Sequence, residues 1–172
     1  IALATPGDVD NRQGLIQAGK GLTFTAQSLD NQRGNVINLD TSDTNVTVSQ
    51  NIQNQSGLIG GNGNAGVTGQ SLANQGGQVT AKNNLTIAVA QGLNNTNGGI
   101  SAGLDVTLNQ GGDMTNTGGA ISAGNALNVQ AAVVDNTGGN MAANTDINLT
   151  AQSLSGNGEA IAGQDLIITL SG

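Results

Sequence analysis

The residues of this chain that could do chemistry are few, and none of them forms a complete site. Gly61, Gly63 and Gly66 fit the G-x-G-x-x-G pattern of dinucleotide-binding loops. That pattern works only between a strand and a helix whose N-terminus faces the pyrophosphate. The residues that follow, Val67-Thr68-Gly69, do not begin a helix. The pattern therefore does not indicate a nucleotide site.

The same Gly-rich stretch, residues 60–68, matches most of one calcium-binding nonapeptide of the form G-G-x-G-x-D. Ala65 stands where that pattern needs an Asp, and no tandem copy follows, so the set of oxygen ligands is incomplete. Asp40 and Asp43 form a close acidic pair in a predicted loop. A solvated corner explains this pair, and the alternative is an interaction corner that contacts a partner.

Charge and composition exclude several classes of function. Hydrolytic chemistry on polysaccharides needs clustered carboxylates with a base or an Arg on one face, but the chain has no His and its 11 acidic residues are scattered. The net charge is −7, and every charged residue after Lys82 is acidic, which disfavours nucleic acid. We expect no catalytic residue, no cofactor, no metal and no membrane span, since no stretch approaches ~18 apolar residues.

What organises the chain is a repeat with a period of ~20 residues. One residue per copy serves as its marker: Asn11, Asn31, Asn54, Asn74, Asn95, Asn116, Asn136 and, in the eighth place, Gly156. An apolar residue lies two positions before each marker: Val9, Leu29, Ile52, Leu72, Leu93, Met114, Val134 and Leu154. A second apolar column lies five positions after it: Ile16, Val36, Ile59, Val79, Ile100, Ile121, Met141 and Ile161.

A third column alternates apolar and polar residues, as in Leu85-Thr86-Ile87 and Val106-Thr107-Leu108. This period of two is typical of a strand with one buried face. Three short strands per copy, repeated about eight times, predict an all-β fold. We expect a right-handed parallel β-helix, with coils stacked ~4.8 Å apart and the three apolar columns inside.

Residues two positions apart in a strand point to the same face. Each marker Asn follows an apolar residue by two positions, so we expect the Asn side chains to point inward. Stacked amides could then bond one another as a ladder. We expect positive φ angles at the pairs Ala18-Gly19, Ala102-Gly103, Ala123-Gly124 and Ala143-Asn144. The second coil is longer by three residues, which we place within residues 38–45.

These repeats resemble the filamentous haemagglutinin repeats of two-partner-secreted bacterial exoproteins. The shared pattern is L-D-N-x-x-G-x-I-x-A-G-x-x-L-x-L-x-A-Q-x-L, and it covers essentially residues 1–172. Its Gly lies three positions after the marker in seven copies, with Glu159 as the exception: Gly14, Gly34, Gly57, Gly77, Gly98, Gly119 and Gly139.

The resemblance implies a stalk segment on the bacterial cell surface, exported by a partner outer-membrane transporter. Because neither end of the sequence has the pattern of a polar cap, we expect a segment of a longer filament. Such filaments include adhesins, haemolysins and contact-dependent growth inhibition toxins, and the resemblance does not choose among them. An alternative is that the segment itself binds a receptor on a host or neighbouring cell. A more remote one is a β-helix enzyme that acts on polysaccharides.

Overall fold

The structure is a computed structural model that describes all 172 residues, and it contains strands and turns only. The strands form three ladders along one axis, which we call ladders A, B and C in the order that each coil visits them. We number each coil by its marker, from Asn11 in coil 1 to Gly156 in coil 8.

Ladder A carries the first apolar column. It contains β2 (Val9–Asp10), β5 (Leu29–Asp30), β8 (Asn51–Gln53), β15 (Asp113–Thr115), β18 (Val133–Asp135) and β21 (Ser153–Ser155). Ladder B carries the second column. It contains β3 (Leu15–Ala18), β6 (Asn35–Asn38), β9 (Leu58–Gly61), β11 (Gln78–Ala81), β13 (Gly99–Ala102), β16 (Ala120–Ala123), β19 (Asn140–Ala143) and β22 (Glu159–Ala162).

Ladder C carries the alternating column. It contains β1 (Ala2–Ala4), β4 (Leu22–Ala26), β7 (Thr44–Val48), β10 (Ala65–Ala73), β12 (Leu85–Asn94), β14 (Val106–Gln110), β17 (Leu127–Gln130), β20 (Ile147–Ala151) and β23 (Leu166–Leu170). Strands β10 and β12 continue without a break into ladder A, so ladders A and C form one 15-stranded sheet beside the 8-stranded sheet of ladder B. The expected three separate strands per coil are therefore merged at these two places.

Strands inside the stack pair in parallel with the equivalent strands of the coils before and after them, and the strands at the two ends pair on one side only. In ladder B, for example, Ile100 pairs with Val79 on one side and Ile121 on the other. This register keeps each apolar column on one face, because a slip by a single residue would turn all its side chains outward. The predicted fold is confirmed: the chain is a β-solenoid of about eight stacked coils.

The interior is one cluster of 35 buried apolar residues, drawn from all three columns. Phe24, the single aromatic residue, is fully buried in ladder C. Ile100 and Ile121 are each 1% exposed. Burial of this apolar surface stabilises the stack by roughly 1.5–3 kcal/mol for each fully buried large side chain.

The last coil departs from the predicted column. Ile161 is 53% exposed, and Ala160 instead pairs with the buried Met141. The reason is a turn shortened by one residue, since Ser155 pairs with Asp135 and Glu159 already pairs with Asn140. The prediction that Ile161 lies inside is therefore wrong.

The extra residues of coil 2 lie in two places rather than one. Between ladders B and C, five residues separate Asn38 from Thr44, where three separate Ala18 from Leu22. Between ladders C and A, three residues separate Val48 from Ile52, where two separate the paired residues of coil 1. Two of the three extra residues therefore fall in the predicted stretch, and the third falls in the next corner.

The positive φ angles also lie elsewhere than predicted. Apart from Gly21 and Gly156, they occur two residues after the marker in each of the first seven coils: Gln13, Arg33, Ser56, Gly76, Asn97, Gly118 and Gly138, all with φ between 53° and 62°. The Ala-Gly and Ala-Asn pairs do not adopt this conformation. At Gly103 and Gly124 the reason for Gly is close packing, since an added Cβ would overlap a carbonyl of the preceding coil.

Candidate functional site

The seven marker asparagines lie inside the corner between ladders A and B, which we call the A–B corner. Asn31, Asn54, Asn74, Asn95 and Asn116 are 0% exposed, Asn136 is 4% exposed and Asn11 is 7% exposed. A buried amide costs free energy unless its donors and acceptor find partners. The packing of the corner supplies those partners from the neighbouring coils.

The amides form a continuous ladder along the solenoid. Each Nδ2 donates to the Oδ1 of the marker in the next coil, at 2.7–2.8 Å from Asn11 through to Asn136. In coil 6, Asn116 Nδ2 also donates to the carbonyls of Gly119 at 3.3 Å and Asn140 at 3.4 Å. Each marker thus joins its own turn to the next coil.

The Gly three positions after the marker is required by this packing. Gly119 N donates to the Asn116 carbonyl at 3.1 Å and closes the turn. A Cβ on Gly119 would overlap the carbonyl oxygen of Asn95 in the preceding coil. In coil 8 it is Gly158 that takes this place, against the carbonyl of Asn136, so Glu159 is an exception in spacing only.

A second hydrogen-bond motif stabilises the A–B corner on its outer side, and it was not predicted from the sequence. The residue before the marker accepts a hydrogen bond from the backbone N–H of the residue after it: Asp10 from Arg12, Asp30 from Gln32, Asn94 from Thr96 and Asp135 from Thr137. This is an Asx turn. The signal was available, because Asp or Asn recurs at that position in four coils.

Two of these carboxylates have lowered pKa values because they accept hydrogen bonds. The side-chain hydrogen bond from Arg12 lowers the pKa of Asp10 to about 2, and the two side chains form an ion pair at 2.6 Å. The hydroxyl of Thr137, followed by its backbone N–H, lowers the pKa of Asp135. Asp10 is exposed and Asp135 is half-buried, so solvent screens these interactions.

The ladder ends at coil 8, where Gly156 replaces the Asn. Gly156 has φ 104°, whereas none of the seven marker asparagines has a positive φ. Asn136 Nδ2 donates to the Glu159 carbonyl at 3.0 Å instead of to another amide. The loss of the marker and the loss of one residue from the turn thus occur in the same corner.

The predicted interaction corner lies between ladders B and C. Asp40 accepts hydrogen bonds from Ser42 N at 2.9 Å, Asn38 Nδ2 at 3.2 Å and Gly21 N at 3.3 Å. The Ser42 backbone N–H makes the largest contribution to lowering the pKa of Asp40. Asp43 accepts from Asn64 Nδ2 at 2.9 Å. Asp40 therefore holds its own loop and the preceding coil, and Asp43 bonds to the following coil.

Charge is distributed unevenly around the solenoid. No charged residue lies in any strand of ladder C. Ladder A carries Asp10, Asp30, Asp113 and Asp135 on its strands, and only Arg12 pairs with any of them. No group of three or more His, Cys, Asp or Glu side chains is close enough to hold a metal ion.

Taken together, these features define a repeat protein: a rod of parallel coils with a polar ladder in one corner. The haemagglutinin repeat matches the chain three times, over residues 3–56, 45–118 and 115–172. The chain therefore belongs to the haemagglutinin repeat family, as the resemblance indicated. This family indicates a stalk-like segment of a secreted or surface-located filament.

Neither a curated protein nor a solved structure matches the chain. The structure holds no helix with the length and hydrophobicity to cross a membrane.

Proposed function

We propose that this chain is a stalk segment of a secreted, cell-surface filamentous exoprotein that presents an adhesive or toxic region to other cells. The observation that carries the proposal is the unbroken stack, in which each coil bonds to its neighbours through three ladders and one row of amides. The length of such a stack grows linearly with the number of coils, at ~4.8 Å each. Eight coils span roughly 38 Å.

The segment would belong to a longer filament. In coil 8, Leu166, Ile168 and Leu170 pair with Ile147, Leu149 and Ala151 and so continue the inward column of ladder C. Leu166 is 45% exposed, whereas Ile147 is 0% exposed. Apolar side chains and an unpaired strand edge of this kind need a cover, and one further coil would supply it.

Export would use the outer-membrane transporter of a two-partner secretion system. A chain without Cys forms no disulfide that could hinder passage through a membrane pore. After export, coils could add to the stack one by one, because most contacts lie between adjacent coils. Adhesion and contact-dependent growth inhibition both need such a spacer, and the active region would lie outside these residues.

Deleting two whole coils from the complete exoprotein tests the stalk function. Removal of residues 11–53, which form coils 1 and 2, joins Asp10 to Asn54 and preserves the register of all three ladders. A stalk should keep its adhesive or toxic activity but act over a shorter reach, and duplication of the same residues should lengthen that reach. Complete loss of binding on this deletion, with normal secretion, would contradict the stalk function and favour a receptor site in these coils.

A further inference from the structure

The largest depression on the solenoid is a trough of ≈ 390 Å³ on the outer face of ladder A, across coils 4 to 6. Its polar lining consists of Ser71, Gln75, Gln91, Asn94, Asp113 and Thr115. A volume of this size suits one small ligand group or one long side chain of a partner.

The trough exists because one side chain in an outward row is missing. Ser71, Gly92 and Asp113 are in register on three successive coils. Gly92 leaves a gap between the Ser71 hydroxyl and the Asp113 carboxylate, which are therefore about 10 Å apart along the ladder. A Cβ at Gly92 would come within 2.7 Å of the Asp113 carbonyl, so the gap is a feature of the packing.

The trough presents oxygen atoms that the chain itself does not use. Gln91 donates its amide to Gln70 at 3.2 Å, which leaves its own oxygen free. The Asp113 carboxylate has no ion-pair partner, since the two ion pairs of the chain both involve Arg12.

The charge around the trough favours a cationic ligand. No basic residue lines it, and the whole chain carries a net charge of −7, so an anionic ligand would be repelled. The single aromatic residue, Phe24, is fully buried, so no ring is available to stack on a sugar. A free amide oxygen beside one unpaired carboxylate matches the N–H donors of a guanidinium or ammonium group.

We propose that this trough binds a Lys or Arg side chain from a basic segment of a partner protein. The cationic head would lie over Gly92, bonded to the Asp113 carboxylate and to the free oxygen of Gln91. This inference goes beyond the stalk function, which needs no ligand. The site is exposed and its ion pair therefore weak.

The test is an NMR titration of the chain with N-acetyl-arginine amide, compared with the neutral N-acetyl-glutamine amide and a neutral disaccharide. We expect amide shifts in coils 4 to 6 with the arginine probe only, reduced by higher salt. Asp113→Asn should weaken binding about threefold. Asp165→Asn is the matched control, since it makes the same change of charge at an exposed carboxylate far from the trough, and it should leave binding unchanged.

Ala73→Leu provides a second variant, because Ala73 is a half-buried residue that lines the trough. Its larger side chain should fill the trough and abolish binding without any change of charge, and circular dichroism verifies that the variant folds. Equal binding of the arginine and glutamine probes, binding of the disaccharide alone, equal effects of D113N and D165N, or no shifts at all would each overturn the proposal. None of these outcomes bears on the coil-deletion experiment, so the two proposals fail separately.

Discussion

Two corners of the same solenoid differ in how strictly their length is kept. In the A–B corner, five positions separate each marker Asn from the apolar column of ladder B in all seven coils that have the Asn. In the corner between ladders B and C, three residues separate Ala18 from Leu22, but five separate Asn38 from Thr44. The A–B corner changes length only in coil 8, where Gly156 replaces the Asn.

The difference follows from where each corner finds its hydrogen bonds. Asn116 bonds to the markers of the coils on both sides, so its corner is shared by three coils and must repeat. The Asp40 loop satisfies many of its polar groups within itself, through Asn38 and Ser42. A corner that bonds locally tolerates insertions, whereas a corner that bonds along the stack does not.

The largest effect should come from inserting one residue into each kind of corner of coil 6. An Ala inserted between Thr117 and Gly118 displaces Gly119 and Ile121 from register and exposes apolar side chains at roughly 1.5–3 kcal/mol each. An Ala inserted between Ala131 and Ala132 lies in the corner between ladders C and A, whose length also varies. It gives this corner the three residues that already separate Gln110 from Met114, so we expect a loss below about 1 kcal/mol. Urea unfolding of both variants measures the difference, and equal losses would contradict the distinction between the corners.

Removing one amide from the ladder should have the next largest effect. Asn116→Leu keeps the approximate volume but leaves the Oδ1 of Asn136 without a partner. Asn95 Nδ2 loses its shortest hydrogen bond and keeps only the longer ones to the carbonyls of Gly98 and Ala120. Each buried group left unpaired costs about 1–3 kcal/mol. Thr115→Ala, at the adjacent half-buried position, should change the free energy of unfolding by less than about 0.5 kcal/mol. Small and equal losses in urea unfolding would show that the amides are not needed.

Substitutions at the residues with positive φ in the A–B corner should have a smaller effect on stability, and the effect can be stabilising or destabilising. Gly138 has φ 60° and open space around its Cβ position, so Gly138→Ala should cost about 1 kcal/mol from the left-handed conformation alone. Ser56 has φ 55°, so Ser56→Gly should stabilise the chain by up to about 1 kcal/mol for the same reason. Thermal unfolding checks both signs, and a destabilising Ser56→Gly would mean that another contact dominates.

The smallest effect is the dependence of stability on pH. The pKa values of Asp10 and Asp135 are lowered in the folded chain, so their contribution to stability is present above the ordinary value near 3.8 and decreases as pH falls below it. For Asp10 the decrease extends to pH about 2. The urea midpoint of the wild type should exceed that of Asp135→Asn by more at pH 7 than at pH 3. An equal difference at the two pH values would contradict a stabilising role of the ionised Asp135 carboxylate.

Much of the fold could be predicted because the repeat shows each column eight times. The parity of the marker with the apolar residue before it was sufficient to orient Asn116, and the third column indicated its strand by alternation alone. Ile161 could not be placed by counting, because only the strand register reveals that the turn before it is one residue shorter. The positive φ at Gln13, Arg33 and Ser56 lies at residues that usually avoid it, so residue type gave no signal there.

Hydrogen exchange of the Asn116→Leu variant, followed by mass spectrometry, tests most directly whether the amide ladder holds neighbouring coils together. Coils in a solenoid interact mainly with their neighbours, so damage at one rung should remain local before global unfolding. We predict faster exchange in coils 5 to 7, unchanged exchange in coils 1 to 3, and no change anywhere in Thr115→Ala. Exchange that rises uniformly along the chain, or not at all, would contradict this account of the ladder.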